Sequence, residues 1–390
     1  MSAPLRVAMV GTGFMGAAHS QGWRVAPRFF DLARQPQMTV VVGRDAAKTE
    51  AAAAKWGWSE ASTDLNAVLE RDDIDVVDIV TPGDSHCDIA IAALEAGKHV
   101  LCEKPLANPG EEARRMADAA AAAASRGVFA MVGFTYRRVP AATFARELVR
   151  RGAVGEIRQV RGQYLQDWLS DPEAPLTWRL DKSRAGSGSL GDIGAHAIDL
   201  SQFITGQKLT SVSGVLETFV KERPTMGEGI GLSGTAGSGR GPVTVDDYAA
   251  FHARFDGGAM GLFEATRFAM GHKNGLRVEI SGDKGAILFD LEDLNAIQYY
   301  DATAPSTEQG FRRILVTEAD HPYLKAWWPA GHMLGYEHGF SHQVVDFTEA
   351  IAKGEQPTPS FEDGYQVQCV LDAVERSSAA GSAWTETTTA

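Results

Sequence analysis

Short apolar runs alternate with longer amphipathic stretches over the first third of the chain. Leu5–Val10, Met38–Val42, Val76–Val80, His99–Cys102 and Val128–Phe134 read as strands. Between them, Ser85–Ala96 reads as a helix with Ser85 at its N-cap and Gly97 at its stop. Pro109–Arg126 reads as a second helix, with Glu111 and Glu112 in its first turn and Gly127 past its end. Strands alternating with helices predict an α/β Rossmann-type domain, a doubly wound parallel sheet. The pattern changes near residue 150. After a helix at Val139–Arg151, stopped by Gly152, the chain reads as a strand at Glu156–Gln166 and one helical segment at about Leu190–Ile204. Hairpins are predicted where Phe251–Phe255 and Met260–Phe263 flank Gly257-Gly258, and where Arg277–Ser281 and Ala286–Phe289 flank Gly282-Asp283-Lys284-Gly285. Helices return at about His338–Lys353 and Asp363–Ser377. The glycine-rich stretch Gly227–Gly241 reads as a flexible loop. The expected organisation is one domain over residues 1–135 and an α+β domain with a large antiparallel sheet over 136–390, its last helices able to pack back on the first.

Composition narrows the class. A chain of 390 residues with 44% hydrophobic and 22% charged residues can bury two sizeable cores. No apolar run approaches the ~20 residues that span a bilayer. The opening residues lack the layout of a signal peptide, so a cytoplasmic location is expected. Cys87, Cys102 and Cys369 are too scattered for a disulfide framework or a zinc site, and no metal is expected. A net charge of −13 argues against a nucleic-acid partner.

Candidate chemistry begins at Gly11-Thr12-Gly13-Phe14-Met15-Gly16, directly after the first strand. In that context Gly-x-Gly-x-x-Gly predicts a dinucleotide site. The first glycine permits a tight turn, the second lets the backbone approach a pyrophosphate, and the third allows close packing of the helix. At the end of the second strand, where an acid commonly bonds the ribose of NAD, the chain reads Val42-Gly43-Arg44-Asp45. Arg44 could pair with the 2′-phosphate of NADP, while Asp45 could take the NAD role if the turn is shifted. Both cofactors stay open.

Glu103-Lys104-Pro105 ends a strand of the parallel sheet, where ligands of such sheets lie. Some ninety residues later comes Gly191-Asp192-Ile193-Gly194-Ala195-His196. On a helix, Asp192 and His196 share one face. Alcohol oxidation needs a base for the hydroxyl proton and a cation for the developing alkoxide. His196 suits the first role and Lys104 the second, with Asp192 orienting substrate and base. Tyr136, Arg137, Gln166, Asp167, Trp168 and Arg179 mix hydrogen-bonding groups with flat apolar faces, as a sugar or polyol pocket requires.

Taken together, the glycine motif, Thr81-Pro82 followed by His86, Ala96-Gly97-Lys98-His99-Val100, Glu103-Lys104-Pro105 and Asp192-Ile193-Gly194-x-His196-x-x-Asp199 resemble the glucose–fructose oxidoreductase/inositol dehydrogenase (Gfo/Idh/MocA) family across essentially the whole chain. The resemblance implies that Lys104, Asp192 and His196 are catalytic. It implies that Gly11, Gly13, Phe14, Met15, Gly16, Arg44, Thr81, Pro82, His86, Glu103 and Lys104 border the cofactor. It also implies an open-faced sheet used for oligomerisation, as a dimer or tetramer. Tyr136-Arg137-Arg138-x-Pro140, Tyr164-Leu165-Gln166-Asp167-Trp168, Pro175-Leu176-x-Trp178-Arg179, Glu264-Ala265-Thr266-Arg267 and His321-Pro322-Tyr323 are similar to the levoglucosan dehydrogenase-like sugar dehydrogenases of that family. The implied activity is NAD(P)-dependent oxidation of a ring hydroxyl of a pyranose, anhydrosugar or cyclic polyol. A non-catalytic dinucleotide-binding sensor of the same fold, or a methyltransferase, would not need the Lys/Asp/His set.

Overall fold

The computed structural model describes residues 3–230 and 233–388. The chain divides into two compact units, Met1–Thr135 with Gly335–Tyr365, and Tyr136–Leu334 with Gln366–Ala390. The first unit thus takes the helix His338–Lys353 as well as the N-terminal third.

The first unit is built on six strands: β1 (Leu5–Val10), β2 (Pro36–Val42), β3 (Glu60–Ser62), β4 (Val76–Ile79), β5 (His99–Cys102) and β6 (Ala130–Val132). All pairs are parallel and the order is β3-β2-β1-β4-β5-β6. This is the doubly wound arrangement of a Rossmann domain, with its switch point between β1 and β4. Strands covered on both faces must be apolar throughout. Val7, Met9, Val41, Val76, Leu101 and Met131 accordingly share one core with Trp23. The helix His338–Lys353 adds Val344, Phe347 and Ile351 to that core. It lies so close to the helix Phe14–Phe29 that a Cβ on Gly22 would stand 2.8 Å from the Phe340 carbonyl oxygen. Glycine at 22 permits the approach. Ser85 stands at the N-cap of its helix as expected, but its side chain makes no capping bond. A 3-10 turn, Gly83–Ser85, precedes the helix His86–Glu95, and the Ser85 hydroxyl bonds Thr81 and the Pro82 carbonyl instead.

The second unit holds β7 (Ile157–Leu165), β8 (Leu209–Glu217), β9 (Glu222–Ile230), β10 (Ser233–Pro242), β11 (Tyr248–Phe255), β12 (Met260–Thr266), β13 (Gly275–Gly282), β14 (Gly285–Asp290), β15 (Ala296–Asp301), β16 (Arg312–Leu315) and β17 (Thr385–Glu386). Nine of them form one sheet, in the order β16-β15-β14-β13-β7-β12-β11-β8-β17. Both predicted hairpins are present, as β11–β12 and β13–β14. The sheet is mixed where an antiparallel one was expected, because β12 runs parallel to β7. A parallel pair requires a long return, and the chain between them carries the helix Ala195–Thr205 and strands β8–β11. On one face a Cβ at Gly162 would lie 3.2 Å from the Ser201 hydroxyl of that helix, so the helix rests directly on β7. Val215, Met260 and Leu262 are exposed apolar side chains of the sheet. A second correction concerns the glycine-rich stretch 227–241, read above as a flexible loop. Its described residues belong to the antiparallel ribbon β9–β10. Glycines admit the register shifts this ribbon contains, which hides it from a search for alternating side chains.

Candidate active site

The glycine motif fits a dinucleotide by three separate observations. Gly11 has φ +123°, and a Cβ there would press on Val80 at 3.0 Å. Gly13 has nothing within 4 Å of where a Cβ would be, so its backbone is open to a ligand. A Cβ on Gly16 would lie 2.8 Å from the Gly11 carbonyl oxygen and 3.2 Å from Trp56, so this glycine seats the helix. The helix Phe14–Phe29 begins at Gly13 without an acidic residue in its first turn, which leaves its N-terminal field available to a phosphate. Phe14 is exposed and Met15 half-buried at this end.

At the end of β2, a side chain at position 43 would meet the Thr49 hydroxyl at 2.3 Å. No acid fits there unless Thr49 moves. Arg44 and Asp45 are both exposed, and the Asp45 carboxylate caps the helix Ala46–Trp56 by accepting from the Lys48 N–H at 3.0 Å. Thr81 and Pro82 lie half-buried beyond β4. His86, expected at the cofactor, is buried instead as a buttress. One ring nitrogen faces the Pro105 carbonyl at 3.0 Å and the other the Thr81 carbonyl at 2.8 Å. It thereby joins the turns after β4 and β5.

Lys104 stands half-buried at the end of β5. Beneath it lies a charge cluster that sequence reading missed. Glu103 is turned inward, where its Oε1 meets Nε2 of His19 at 2.9 Å and its Oε2 accepts the Lys104 N–H at 3.2 Å. The other ring nitrogen of His19 faces both oxygens of Asp78, at 2.9 and 3.0 Å, and Trp23 donates to Asp78 at 2.7 Å. All four residues are buried. Burial pushes the His19 pKa down, but Asp78 and then Glu103 outweigh it and raise the group to about 10. The available signal was Asp78 itself, a carboxylate inside the apolar run Val76–Ile79. Such a group must find a partner when the strand is buried on both faces.

In the second unit, Asp192 lies on a π-turn, Leu190–Gly194, that leads into the helix Ala195–Thr205, whose first turn carries His196. The predicted regular helix is thus modified at its start, beside the candidate catalytic residues, and π-bulges are frequent at functional sites. Asp246 imposes the turn. Its carboxylate accepts from the Gly188 N–H, the Ser189 hydroxyl and the Leu190 N–H at 2.6, 2.7 and 2.8 Å. Gly188 has to be glycine, because a Cβ would stand 1.7 Å from the Asp246 carbonyl oxygen. From Leu190 to Leu200 every residue is buried except Asp192 and His196. These two are the polar groups the segment leaves accessible.

Each has a prepared surrounding. Arg267, with no exposed surface, reaches Asp192 at 3.3 Å and lies over the Trp168 ring at 5.6 Å. The His196 ring lies 4.6 Å from Tyr136 and 5.9 Å from Tyr164. Tyr136, Gln166 and Trp168 are joined by one hydrogen-bond chain. The Tyr136 and Tyr164 hydroxyls are 2.9 Å apart, and Tyr164 donates to Asn274 Oδ1 at 2.7 Å. Gln166 donates to the same oxygen at 2.8 Å, and Trp168 donates to Gln166 at 2.8 Å. Tyr164 and Asn274 were not among the expected site residues. Tyr164 was legible within the Tyr164–Trp168 motif, whereas Asn274 comes from the connection between β12 and β13, far along the chain.

Arg179 is half-buried and stacked on Trp178 at 4.4 Å. Burial holds its guanidinium below the ordinary value, against the pull of Asp192. Asp167 is drawn outward to Lys273 at 2.6 Å. Arg137 requires correction as a pocket donor. It is buried, holds Asp199 with bonds of 2.5–3.1 Å and lies over Phe203, so it serves as a strut for the helix Ala195–Thr205.

Residues 5–134 match the model of the oxidoreductase family with an NAD-binding Rossmann fold, and residues 143–288 match the GFO/IDH/MocA C-terminal domain. The chain is 42% identical to levoglucosan dehydrogenase from Pseudarthrobacter phenanthrenivorans, with 96% of each chain covered. Among solved structures, an oxidoreductase domain protein from Kribbella flavida superposes with a TM-score of 0.95 at 60% identity, over all of both chains. A levoglucosan dehydrogenase in complex with NADH and levoglucosan superposes with a TM-score of 0.92 at 39% identity, again over all of both chains. On these matches and the two folds described, the chain belongs to the GFO/IDH/MocA family of oxidoreductases.

Proposed function

We propose that the protein oxidises a secondary ring hydroxyl of a pyranose, anhydrosugar or cyclic polyol to a ketone, with NAD as hydride acceptor. The observation that carries this reading is the segment Leu190–Leu200, a π-turn running into a helix, which buries all its residues but Asp192 and His196. Around the pair stand Arg267, Tyr136 and the chain of amide and hydroxyl groups ending at Trp168. The hydroxyl, amide and indole groups of that chain are uncharged, and they suit a ligand with several hydroxyls and apolar ring faces. A site built to hydrogen-bond hydroxyls rejects analogues that lack them, because its own polar groups are left unpaired.

His196 takes the hydroxyl proton, Asp192 holds hydroxyl and imidazole in register, and Lys104 supplies the cation that stabilises alkoxide character. Gly11, Gly13 and Gly16 would hold the dinucleotide, which when bound supplies the hydride acceptor. Similarity to levoglucosan dehydrogenase over the full length supports the substrate class. Incubation with NAD and a substrate deuterated at the oxidised ring carbon tests the reading. NADH carrying the label, formed one-to-one with a ring ketone, is expected. Turnover without label transfer would contradict it.

For the cofactor we favour NAD. The supporting observations are the NAD-binding family match and the exposed Asp45. Arg44, also exposed, gives NADP a 2′-phosphate partner, so Arg44→Ala should lower kcat/KM for NADP more than for NAD. Equal effects on the two cofactors would remove Arg44 from cofactor choice.

A further inference from the structure

We propose that His19 is a positioning residue for Lys104, acting through Glu103 as a buried brace between the dinucleotide-binding helix and the turn that carries the lysine. This rests on the reading of Lys104 given above.

One imidazole joins three elements. His19 belongs to the helix that opens at the glycine motif, Asp78 to β4, and Glu103 to the turn after β5. Both ring nitrogens face carboxylate oxygens at 2.9–3.0 Å. A neutral imidazole carries a single N–H and can donate on one side only. The contacts on both sides therefore call for a doubly protonated ring, donating to Asp78 and to Glu103 at once. The raised pKa of His19 agrees with that geometry. Exposure of the His19, Asp78 and Glu103 side chains is 1%, 0% and 6%, so the cluster bears the full cost of desolvation. Apolar residues of similar volume often serve stability as well as or better than such a buried ion cluster. Stability alone is therefore a poor account of why charge is placed here.

What the cluster does hold is the backbone of Lys104. The Glu103 oxygen not used by His19 accepts the Lys104 N–H at 3.2 Å. The neighbouring chain is shaped to admit this carboxylate, because a Cβ on Gly133 would lie 2.9 Å from Glu103 Oε1. His19 thus fixes Glu103, and Glu103 fixes the residue that presents the ammonium. Removing the brace leaves Lys104 chemically intact but less well placed, and a displacement of ~1 Å in a reacting constellation costs about 10²-fold.

A kinetic double-mutant cycle on the full-length enzyme with bound NAD tests this, pairing His19→Gln with Lys104→Ala. Residual rates are read at high enzyme concentration, and folding is checked by thermal melting. We expect His19→Gln to lower kcat tenfold or more, with KM and the Kd for NADH changed less than threefold. In the Lys104→Ala background it should have no further effect. Glu103→Gln keeps an amide oxygen for the Lys104 N–H and an amide donor for a neutral ring, so it should retain more activity than His19→Gln. If His19→Gln fails to fold, Glu103→Gln carries the same cycle. Independent, multiplicative losses in the two backgrounds would overturn the inference, as would a lowered melting temperature with unchanged kcat. Wild-type turnover by Lys104→Ala alone would instead overturn the role of Lys104, which separates the two failures.

Discussion

Each unit of the molecule contains a cluster of buried ions, and the two are built to different ends. In the first, His19, Asp78 and Glu103 have side-chain exposures of 6% or less, with Trp23 as a further donor to Asp78. In the second, Arg267 is equally buried, but the Asp192 it holds is 29% exposed. A closed cluster can hold a shape but can offer nothing to a ligand. A cluster with one open carboxylate can do both. Chemistry is therefore sought at Asp192 and its neighbour His196, and support at His19.

The comparison breaks most plainly at His196. General-base catalysis contributes about 10²–10⁴-fold, so His196→Ala should lower kcat by that order at neutral pH while the fold is retained. A change confined to KM would make His196 a binding group and leave the open cluster without its base. Arg267→Met should follow, with a loss of about 10²-fold in kcat as Asp192 loses its fixed orientation. Dinucleotide affinity should stay within a few-fold, since the substitution leaves the glycine motif intact. A variant that keeps wild-type kcat would show that the ion pair is only structural.

The smallest effect concerns the closed cluster and pH. His19 is raised from 6.5 to about 10 in the folded chain, so the folded state holds its proton more tightly than the unfolded state does. Its contribution to stability is full below pH 6.5, declines as pH rises toward 10, and is lost above that. The melting transition should accordingly fall over this range, and less steeply in Glu103→Gln. A wild-type transition that rises between pH 7 and 10 would contradict the assigned protonation.

The two units also differ in how well the sequence discloses them. The Rossmann unit was legible because strands buried on both faces are written as unbroken apolar runs, and because the glycine motif has a steric meaning at each position. Even there the cluster under Lys104 was hidden, since it joins residues 59 and 84 positions apart. In the second unit the hairpins at Gly257 and Gly282 could be read locally. The parallel pairing of β12 with β7 and the ribbon over the glycine-rich stretch could not. Asp192 and His196 were proposed from their residue types, but the π-turn that carries Asp192 and leads into the helix of His196 depends on Asp246, more than fifty positions downstream. Arg137 was misassigned for a similar reason. An arginine beside a tyrosine looks like a pocket donor until Asp199 is seen to occupy its fork.

The central claim is that the open cluster addresses a ring carrying several hydroxyls. It is tested most directly by kcat/KM, with NAD, across pyranoses, anhydrosugars and inositols beside 2-hydroxy acids and linear alcohols. The account predicts that a cyclic polyol or pyranose ranks first, that its deoxy analogues lose activity according to which hydroxyl is missing, and that simple alcohols are poor. A hydroxy acid or a linear alcohol with the highest kcat/KM would contradict it.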